Sequence, residues 1–138
     1  MKKLIFIFQL LILQNVISNE HLIEYKLEYF NKTKTAEFIF NSKENSTFSK
    51  NCFDLKKIQT PCIAQLRIQN PVDNNSFSST IENANIAALT CENNLKGEVI
   101  YYKSESNTLE GFCYFNEDQS AVSLPTIERR YNDIFIKK

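Results

Sequence analysis

Apolar residues recur mostly at every second position of this chain, and that period constrains its fold more than any other feature. From 23 to 29 apolar side chains alternate with charged ones, and after a short polar break 36–40 repeats the pattern. Such alternation is typical of strands with one buried and one solvated face, and these two segments predict a hairpin. Further strands are predicted at 62–68, 98–103, 111–115, 122–124 and 134–136.

Seven or eight short strands separated by polar breaks predict a mainly β fold, namely a disulfide-stapled antiparallel β-sandwich or barrel. At most one or two short helices are expected. Ile81, Ala84, Ala88 and Cys91 stand at helical spacing and predict a helix over 81–90. A second helical face, formed by 127, 131 and 134, competes with the last predicted strand. No internal repeat is evident in the sequence.

The first 18 residues have the organisation of a secretory signal peptide. A positive start, Met1-Lys2-Lys3, precedes an apolar run over 4–13 and small or permitted residues at 16–18. We therefore predict a signal at 1–18 and a single secreted β-rich domain at 19–138, located outside the cell or in the lumen of the secretory pathway. No second apolar run reaches membrane-spanning length.

The charge balance is unfavourable for binding nucleic acid. The signal contains two of the chain's 16 basic residues, which leaves 14 against 16 acidic ones in the predicted mature domain. Binding nucleic acid through charge requires a basic stripe, so no nucleic-acid partner is expected. The abundance of Asn, Ile and Phe with only two glycines is typical of AT-rich coding and indicates a microbial eukaryote.

Four cysteines, Cys52, Cys62, Cys91 and Cys113, remain in the predicted mature domain. In an oxidising compartment an even number predicts disulfides, here two bridges with three possible connectivities. Sequential pairing, which closes two short loops, is the preferred one. No CxxC pair occurs and His21 is the only histidine, so neither a metal site nor a catalytic thiol is expected, and no cofactor is predicted.

Three sequons predict N-linked sugars at Asn31, Asn45 and Asn74, each in a polar break between apolar segments. At least one of them is expected to be occupied. The protein is accordingly predicted to be a glycoprotein.

Candidate functional residues are few. His21 stands close to the predicted mature N-terminus, and no nucleophile-elbow motif accompanies it, which disfavours a serine hydrolase. Paired carboxylates would suffice for a glycosidase, and the candidates are Glu92, Glu98, Glu110, Glu117 and Asp118. Tyr101, Tyr102 and Tyr114 stand on predicted strands, where at least one of them is expected to face outward towards a ligand.

These features predict a non-catalytic module for binding or surface assembly that recognises an extracellular glycan or protein, with self-association left open. An alternative is a carrier of lipid or another apolar ligand, because the Phe-rich interior of a barrel or sandwich fits a ligand cavity as well as a filled core. A second alternative is a small hydrolase that uses paired carboxylates.

Overall fold

The protein folds into a closed antiparallel barrel of six strands. The computed structural model describes residues 21–30, 34–53, 61–72 and 85–136, with side chains described as far as Tyr131. The strands are β1 Leu22–Tyr29, β2 Thr35–Asn41, β3 Ser46–Ser49, β4 Glu98–Lys103, β5 Leu109–Phe115 and β6 Ser120–Ser123. They follow one another around the barrel as β1-β2-β3-β6-β5-β4. The predicted disulfide-stapled, mainly β fold is confirmed, and it is a barrel.

Three α-helices lie in the described ranges, where one or two were expected. They are α1 Ile63–Gln69, α2 Ile86–Asn93 and α3 Leu124–Ile136, and a 3₁₀ turn spans Lys50–Phe53. Helix α2 overlaps the helix predicted over 81–90, and 81–84 lie outside the described residues. Asn85 caps the N-terminus of α2, since its side chain accepts a hydrogen bond from the backbone N–H of Ala88 at 3.1 Å.

The strand predicted at 62–68 is wrong, because this segment is helix α1. Over so short a segment, the spacing of its apolar residues fits both the two-residue period of a strand and the 3.6-residue period of a helix. The helix buries Ala64 and Ile68, which are one turn apart, and leaves Leu66 38% exposed. Gln65 also reaches back to accept a hydrogen bond from the backbone N–H of Cys62, which closes the first turn.

The two last predicted strands are also corrected. Strand β6 ends at Ser123, and helix α3 begins at Leu124 and includes 134–136. Pro125 falls in the first turn of α3, where its missing N–H is not required. The backbone N–H of Thr126 donates to the Ser123 hydroxyl at 3.3 Å, so Ser123 caps the helix.

The barrel consists of two halves related by an approximate twofold axis, although the sequence shows no evident repeat. Hairpins β2–β3 and β5–β6 share the same register; the matching pairs are Phe38↔Ser49 with Phe112↔Ser123, and Asn41↔Ser46 with Phe115↔Ser120. Each hairpin closes through a four-residue turn whose last residue, Asn45 or Gln119, has a positive φ of 50° or 59°.

The register of the remaining strand pairs is consistent with the same twofold axis. In hairpin β1–β2 Lys26 lies opposite Glu37, and in hairpin β4–β5 Tyr101 lies opposite Gly111 at the corresponding place. The two halves join where Phe48 of β3 pairs with Val122 of β6, and again where β1 pairs with β4. We call residues at matching places in the two halves counterparts.

Aromatic side chains fill the interior of the barrel. The rings of Phe38 and Phe112, which are counterparts, have centroids 4.2 Å apart. Tyr102 meets both rings edge-on, at 5.0 Å from Phe38 and 5.2 Å from Phe112. Leu27 and Ala121 complete this buried cluster. The interior of a barrel with so few strands is narrow, and side chains such as these fill it.

The helices cover one outer side of the barrel and form a second core there. Phe48, Val122 and Phe115 of the sheet pack with Leu95 and with Ile127 of α3. Two disulfides tie this layer to the rest of the fold: Cys52–Cys62 joins the 3₁₀ turn to the start of α1, and Cys91–Cys113 joins α2 to β5. The preferred sequential pairing is thereby confirmed.

The turn between β5 and β6 holds the N-terminus of α1. The Asp118 carboxylate accepts a hydrogen bond from the backbone N–H of Ile63 at 2.8 Å, and the Ser120 hydroxyl accepts one from that of Ala64 at 2.9 Å. Partial burial raises the pKa of Asp118, but the hydrogen bonds from Ser120 and from backbone N–H groups outweigh it, so the pKa lies below its ordinary value.

We expect Asp118→Asn to lower the free energy of unfolding by about 1 kcal/mol at pH 7, because the ionised acceptor at the helix N-terminus is lost. A lowered native pKa stabilises the fold above the unfolded value, and that contribution disappears as the pH falls below about 4. Urea denaturation at pH 7 and pH 2.5 should therefore show a smaller difference between variant and wild type at the lower pH. Glu44→Gln, the counterpart change, is the control; equal losses for both variants would contradict the prediction.

Candidate functional site

Three large apolar side chains lie exposed in a row across the outer face of the barrel. Phe30, Tyr101 and Leu109 are 49%, 45% and 51% exposed. The backbone N–H of Phe30 donates to the carbonyl of Tyr101 at 3.1 Å, which sets these two residues side by side where β1 meets β4. Leu109 lies on the adjacent strand β5, opposite Lys103. We call these residues the apolar row; neighbouring exposed apolar side chains of this kind are typical of binding sites.

The counterpart face on the other half of the barrel is charged instead. Lys26 there pairs with Glu37 at 3.4 Å, and Lys50 pairs with Glu37 at 3.3 Å and with Glu24 at 2.7 Å. Hydrogen bonding and charge from Lys50 hold the pKa of Glu37 below its ordinary value. In place of Lys26, Glu37 and Lys50 the first face has Tyr101, Gly111 and Leu124. The exposed ring of Tyr101 is therefore a specific feature of one half and not a consequence of the barrel.

Gly111 is the position that allows the Tyr101 ring to approach the backbone of β5 closely. A Cβ at Gly111 would stand 2.6 Å from Cδ1 of Leu124 and 3.3 Å from Cε1 of Tyr101. These two side chains thus close over the bare backbone of β5. Lack of a side chain, and not a special backbone angle, is what the site requires here, since neither glycine of the chain has a positive φ.

Beside the apolar row lies an open cleft of about 410 Å³, which we call the Tyr101 cleft. Volumes of ~300–1,000 Å³ are typical of sites for small ligands. Tyr101 and Leu109 form its apolar rim. Its polar side chains come from β1, β3, the start of α2, β5, β6 and α3, and they are Tyr25, Thr47, Asn85, Glu110, Ser123, Glu128 and Arg129. Such a cleft offers an aromatic face together with carboxylate, guanidinium, amide and hydroxyl groups.

Tyr25 is the inner polar group of the Tyr101 cleft. Burial raises its pKa to about 12, a hydrogen bond with the Thr47 side chain opposes the rise, and the charge of Glu110 adds to it. The phenol therefore stays protonated over the physiological range and remains a hydrogen-bond donor and acceptor. In the same cleft the Arg129 guanidinium is held in place by two hydrogen bonds to the Asn45 carbonyl, at 2.6 and 3.0 Å.

Of the three tyrosines of which at least one was predicted to face outward, Tyr101 alone lines the Tyr101 cleft. Tyr102 is 1% exposed and lies inside the barrel, so it does not face a ligand outside it. Burial there raises its pKa. Tyr114 is half-buried against the interior cluster. Strand alternation explains the difference, because Tyr101 and Tyr102 are neighbours on β4 and point to opposite faces.

The predicted carboxylates are only partly brought together. Glu110 lines the Tyr101 cleft with Glu128, which the sequence analysis did not single out. Glu117 pairs with Arg67 at 3.1 Å, and Asp118 holds helix α1. Glu92 and Glu98 are exposed elsewhere. In the part of the chain that the structure describes, no three His, Cys, Asp or Glu side chains cluster as metal ligands would.

The other predicted sites are placed as follows. His21 is exposed at the start of the first described range. Asn45 is exposed at the tip of the β2–β3 turn, which is an accessible place for a sugar. The sequons at Asn31 and Asn74 and the predicted signal at 1–18 lie outside the described residues.

No protein-family model, curated protein or solved structure matches this chain. Across the described ranges, the helices are too short or too polar to cross a membrane. The geometry of the site is therefore the basis on which a function can be assigned.

Proposed function

We propose that this protein is a secreted, non-catalytic binding module that recognises carbohydrate at the Tyr101 cleft. The observation that carries the proposal is the exposed ring of Tyr101 on the rim of an open cleft that also contains charged and amide side chains. The apolar face of a sugar ring packs on an exposed aromatic side chain, and its hydroxyls bond to carboxylate, guanidinium and amide groups. The two disulfides are consistent with an oxidising compartment.

Two features favour this site over an apolar cavity inside the barrel. The interior rings are in mutual contact at centroid distances of 4.2–5.2 Å, so side chains occupy the space that a lipid would need. The Tyr101 cleft, in contrast, opens to solvent and mixes polar with apolar groups. A carrier of apolar ligands would require the opposite arrangement.

A hydrolase remains a second candidate because Glu110 and Glu128 line the same cleft. Paired carboxylates are the minimum equipment of a glycosidase. The two proposals predict different results with the same variants. In a binding module Glu110→Gln and Glu128→Gln alter affinity and no sugar is cleaved, whereas in a glycosidase either change abolishes cleavage that wild type performs.

We expect Tyr101→Ala to weaken binding to the oligosaccharide that wild type selects from a glycan panel by at least about tenfold. Truncating the aromatic anchor of a binding site costs on the order of 2 kcal/mol. Tyr101→Phe should retain most of the affinity, because the ring face remains. Isothermal titration calorimetry gives the dissociation constants.

The matched control is Lys26→Ala, which truncates the counterpart of Tyr101 on the charged face. It should bind as wild type does. Equal affinities of Tyr101→Ala and wild type, with both proteins folded, would overturn the proposed site.

A further inference from the structure

A second cleft, of about 690 Å³, lies between helices α1 and α3 and the β2–β3 turn. Phe48 and Ile68 form its apolar floor. Its polar lining includes the charged and amide side chains Glu44, Asn45, Gln65, Gln69, Arg129 and Arg130. We name it the Ser46 cleft after Ser46, which also lines it.

The hydroxyl of Ser46 is buried, and among the residues that the structure describes it has no hydrogen-bond partner. Ser46 is 8% exposed, and its Oγ is an unsatisfied polar atom. Leaving such a group unpaired costs about 1–3 kcal/mol, so native structures rarely do so without a reason. A hydroxyl that lines a cleft and lacks a partner is available to a ligand or to water that a ligand organises.

The approximate twofold axis shows what this position does in the other half. Ser120, the counterpart of Ser46, accepts a hydrogen bond from the start of α1 through its hydroxyl. Asp118, the counterpart of Glu44, accepts a second one from the same helix end. On the Ser46 side no helix begins at the turn, because α3 passes alongside it: Thr126 accepts from the backbone N–H of Thr47, and Arg129 reaches Asn45. Backbone N–H groups of α1 thus bond to Asp118 and Ser120, whereas no described residue bonds in this way to Glu44 and Ser46.

The polar groups that line the Ser46 cleft determine which class of ligand fits it. The lining presents two guanidinium groups, Arg129 and Arg130, against one carboxylate, Glu44. Gln65 uses its oxygen for the N–H of Cys62, which leaves its amide N–H groups to donate. Donors thus exceed acceptors, and a carboxylate is well matched to them. Glu44 in turn accepts from hydroxyl groups.

Arg129 lines both clefts, so they are adjacent on one surface. We propose that the Ser46 cleft is a second subsite, which binds an acidic sugar residue of the glycan whose neighbouring residue packs on Tyr101. Its carboxylate bonds to Arg130 and Ser46, and its hydroxyls bond to Glu44. This inference rests on the proposed function of the Tyr101 cleft and adds the class of glycan that it takes, a uronic-acid oligosaccharide.

The test compares tetragalacturonate with its fully methyl-esterified form, which has the same skeleton without the charge. The variants are Arg130→Gln, Ser46→Ala, Tyr101→Ala and, as a matched removal of one positive charge, Lys43→Gln on the exposed β2–β3 turn. Sugars on the protein are first trimmed with an endoglycosidase, so that a chain on Asn45 does not occupy the cleft. Calorimetry at low salt gives the affinities.

We expect Arg130→Gln to weaken tetragalacturonate binding about tenfold and to leave the methyl ester within about twofold, because a charge-assisted hydrogen bond is lost for the acid only. Ser46→Ala should weaken tetragalacturonate severalfold, and Lys43→Gln should have little effect. Tyr101→Ala should weaken both ligands.

Failure of the second subsite and failure of the proposed function give different results. If Tyr101→Ala weakens both ligands while Arg130→Gln and Ser46→Ala bind as wild type does, the second subsite is wrong and the proposed function stands. If Tyr101→Ala leaves both ligands unaffected, the proposed function fails. Wild type that does not bind tetragalacturonate overturns the inference directly.

Discussion

Replacement of both Cys91 and Cys113 by alanine should lower the free energy of unfolding by about 3–5 kcal/mol. The bridge fastens helix α2 to the centre of β5, and both cysteines are fully buried in the core between the helices and the barrel. The double variant therefore loses the cross-link of the unfolded chain and leaves a void in close-packed surroundings. Urea denaturation, followed by circular dichroism, measures the loss.

The second disulfide supplies the control. Cys52 and Cys62 are ten residues apart, against 22 for the other pair, and the loop-closure terms differ by less than about 1 kcal/mol. Both residues are only half-buried, so the double alanine variant of this pair should lose about 2–3 kcal/mol. Equal losses for the two bridges would show that packing around Cys91–Cys113 contributes nothing.

Strand alternation predicted those elements in which one face is buried and the other is solvated over several residues. Strand β1 is the clearest case, because Leu27 faces the interior while Lys26 forms an exposed ion pair with Glu37. Hairpin β4–β5 was equally predictable from its β-branched and aromatic residues. Four cysteines allow only a few connectivities, and the sequential pairing was preferred among them because it closes short loops.

Alternation failed at α1 because tertiary contacts, and not local preference, determine that segment. Its first N–H groups are satisfied by Asp118 and Ser120, which are more than fifty residues away. No window along the sequence contains those partners. A seven-residue helix of this kind is marginal alone and forms because the barrel provides its cap.

The twofold relation was hidden for a similar reason. The two halves retain few identical residues, of which Phe38 and Phe112, Ser46 and Ser120, and Ser49 and Ser123 are examples. Register and turn length are preserved while the side chains differ. The site itself was only partly predictable, since Asn85, Glu128 and Arg129 come from parts of the chain with no local motif, and only the barrel and helices bring them beside Tyr101.

The twofold axis also yields the sharpest test of the fold, because Phe38 and Phe112 are counterparts that touch at its centre. Each is 0% exposed. Phe112→Ala or Phe38→Ala should lower the free energy of unfolding by about 3–5 kcal/mol, which is a large share of the ~5–15 kcal/mol typical of a domain. Should the alanine variants fail to fold, leucine at either position leaves a smaller void and costs about 1 kcal/mol.

The pair matters more than either ring. Residues in contact do not contribute independently, and an aromatic pair contributes about 0.5–1.5 kcal/mol beyond the area it buries. The variant with both phenylalanines replaced should therefore lose about 1 kcal/mol less than the sum of the single losses, as measured by urea denaturation. Phe112 with Ile127 is the comparison, since Ile127 lies in the core outside the barrel and its replacement should add independently. Additive losses for Phe38 and Phe112 would mean that the two halves of the barrel do not meet through these rings.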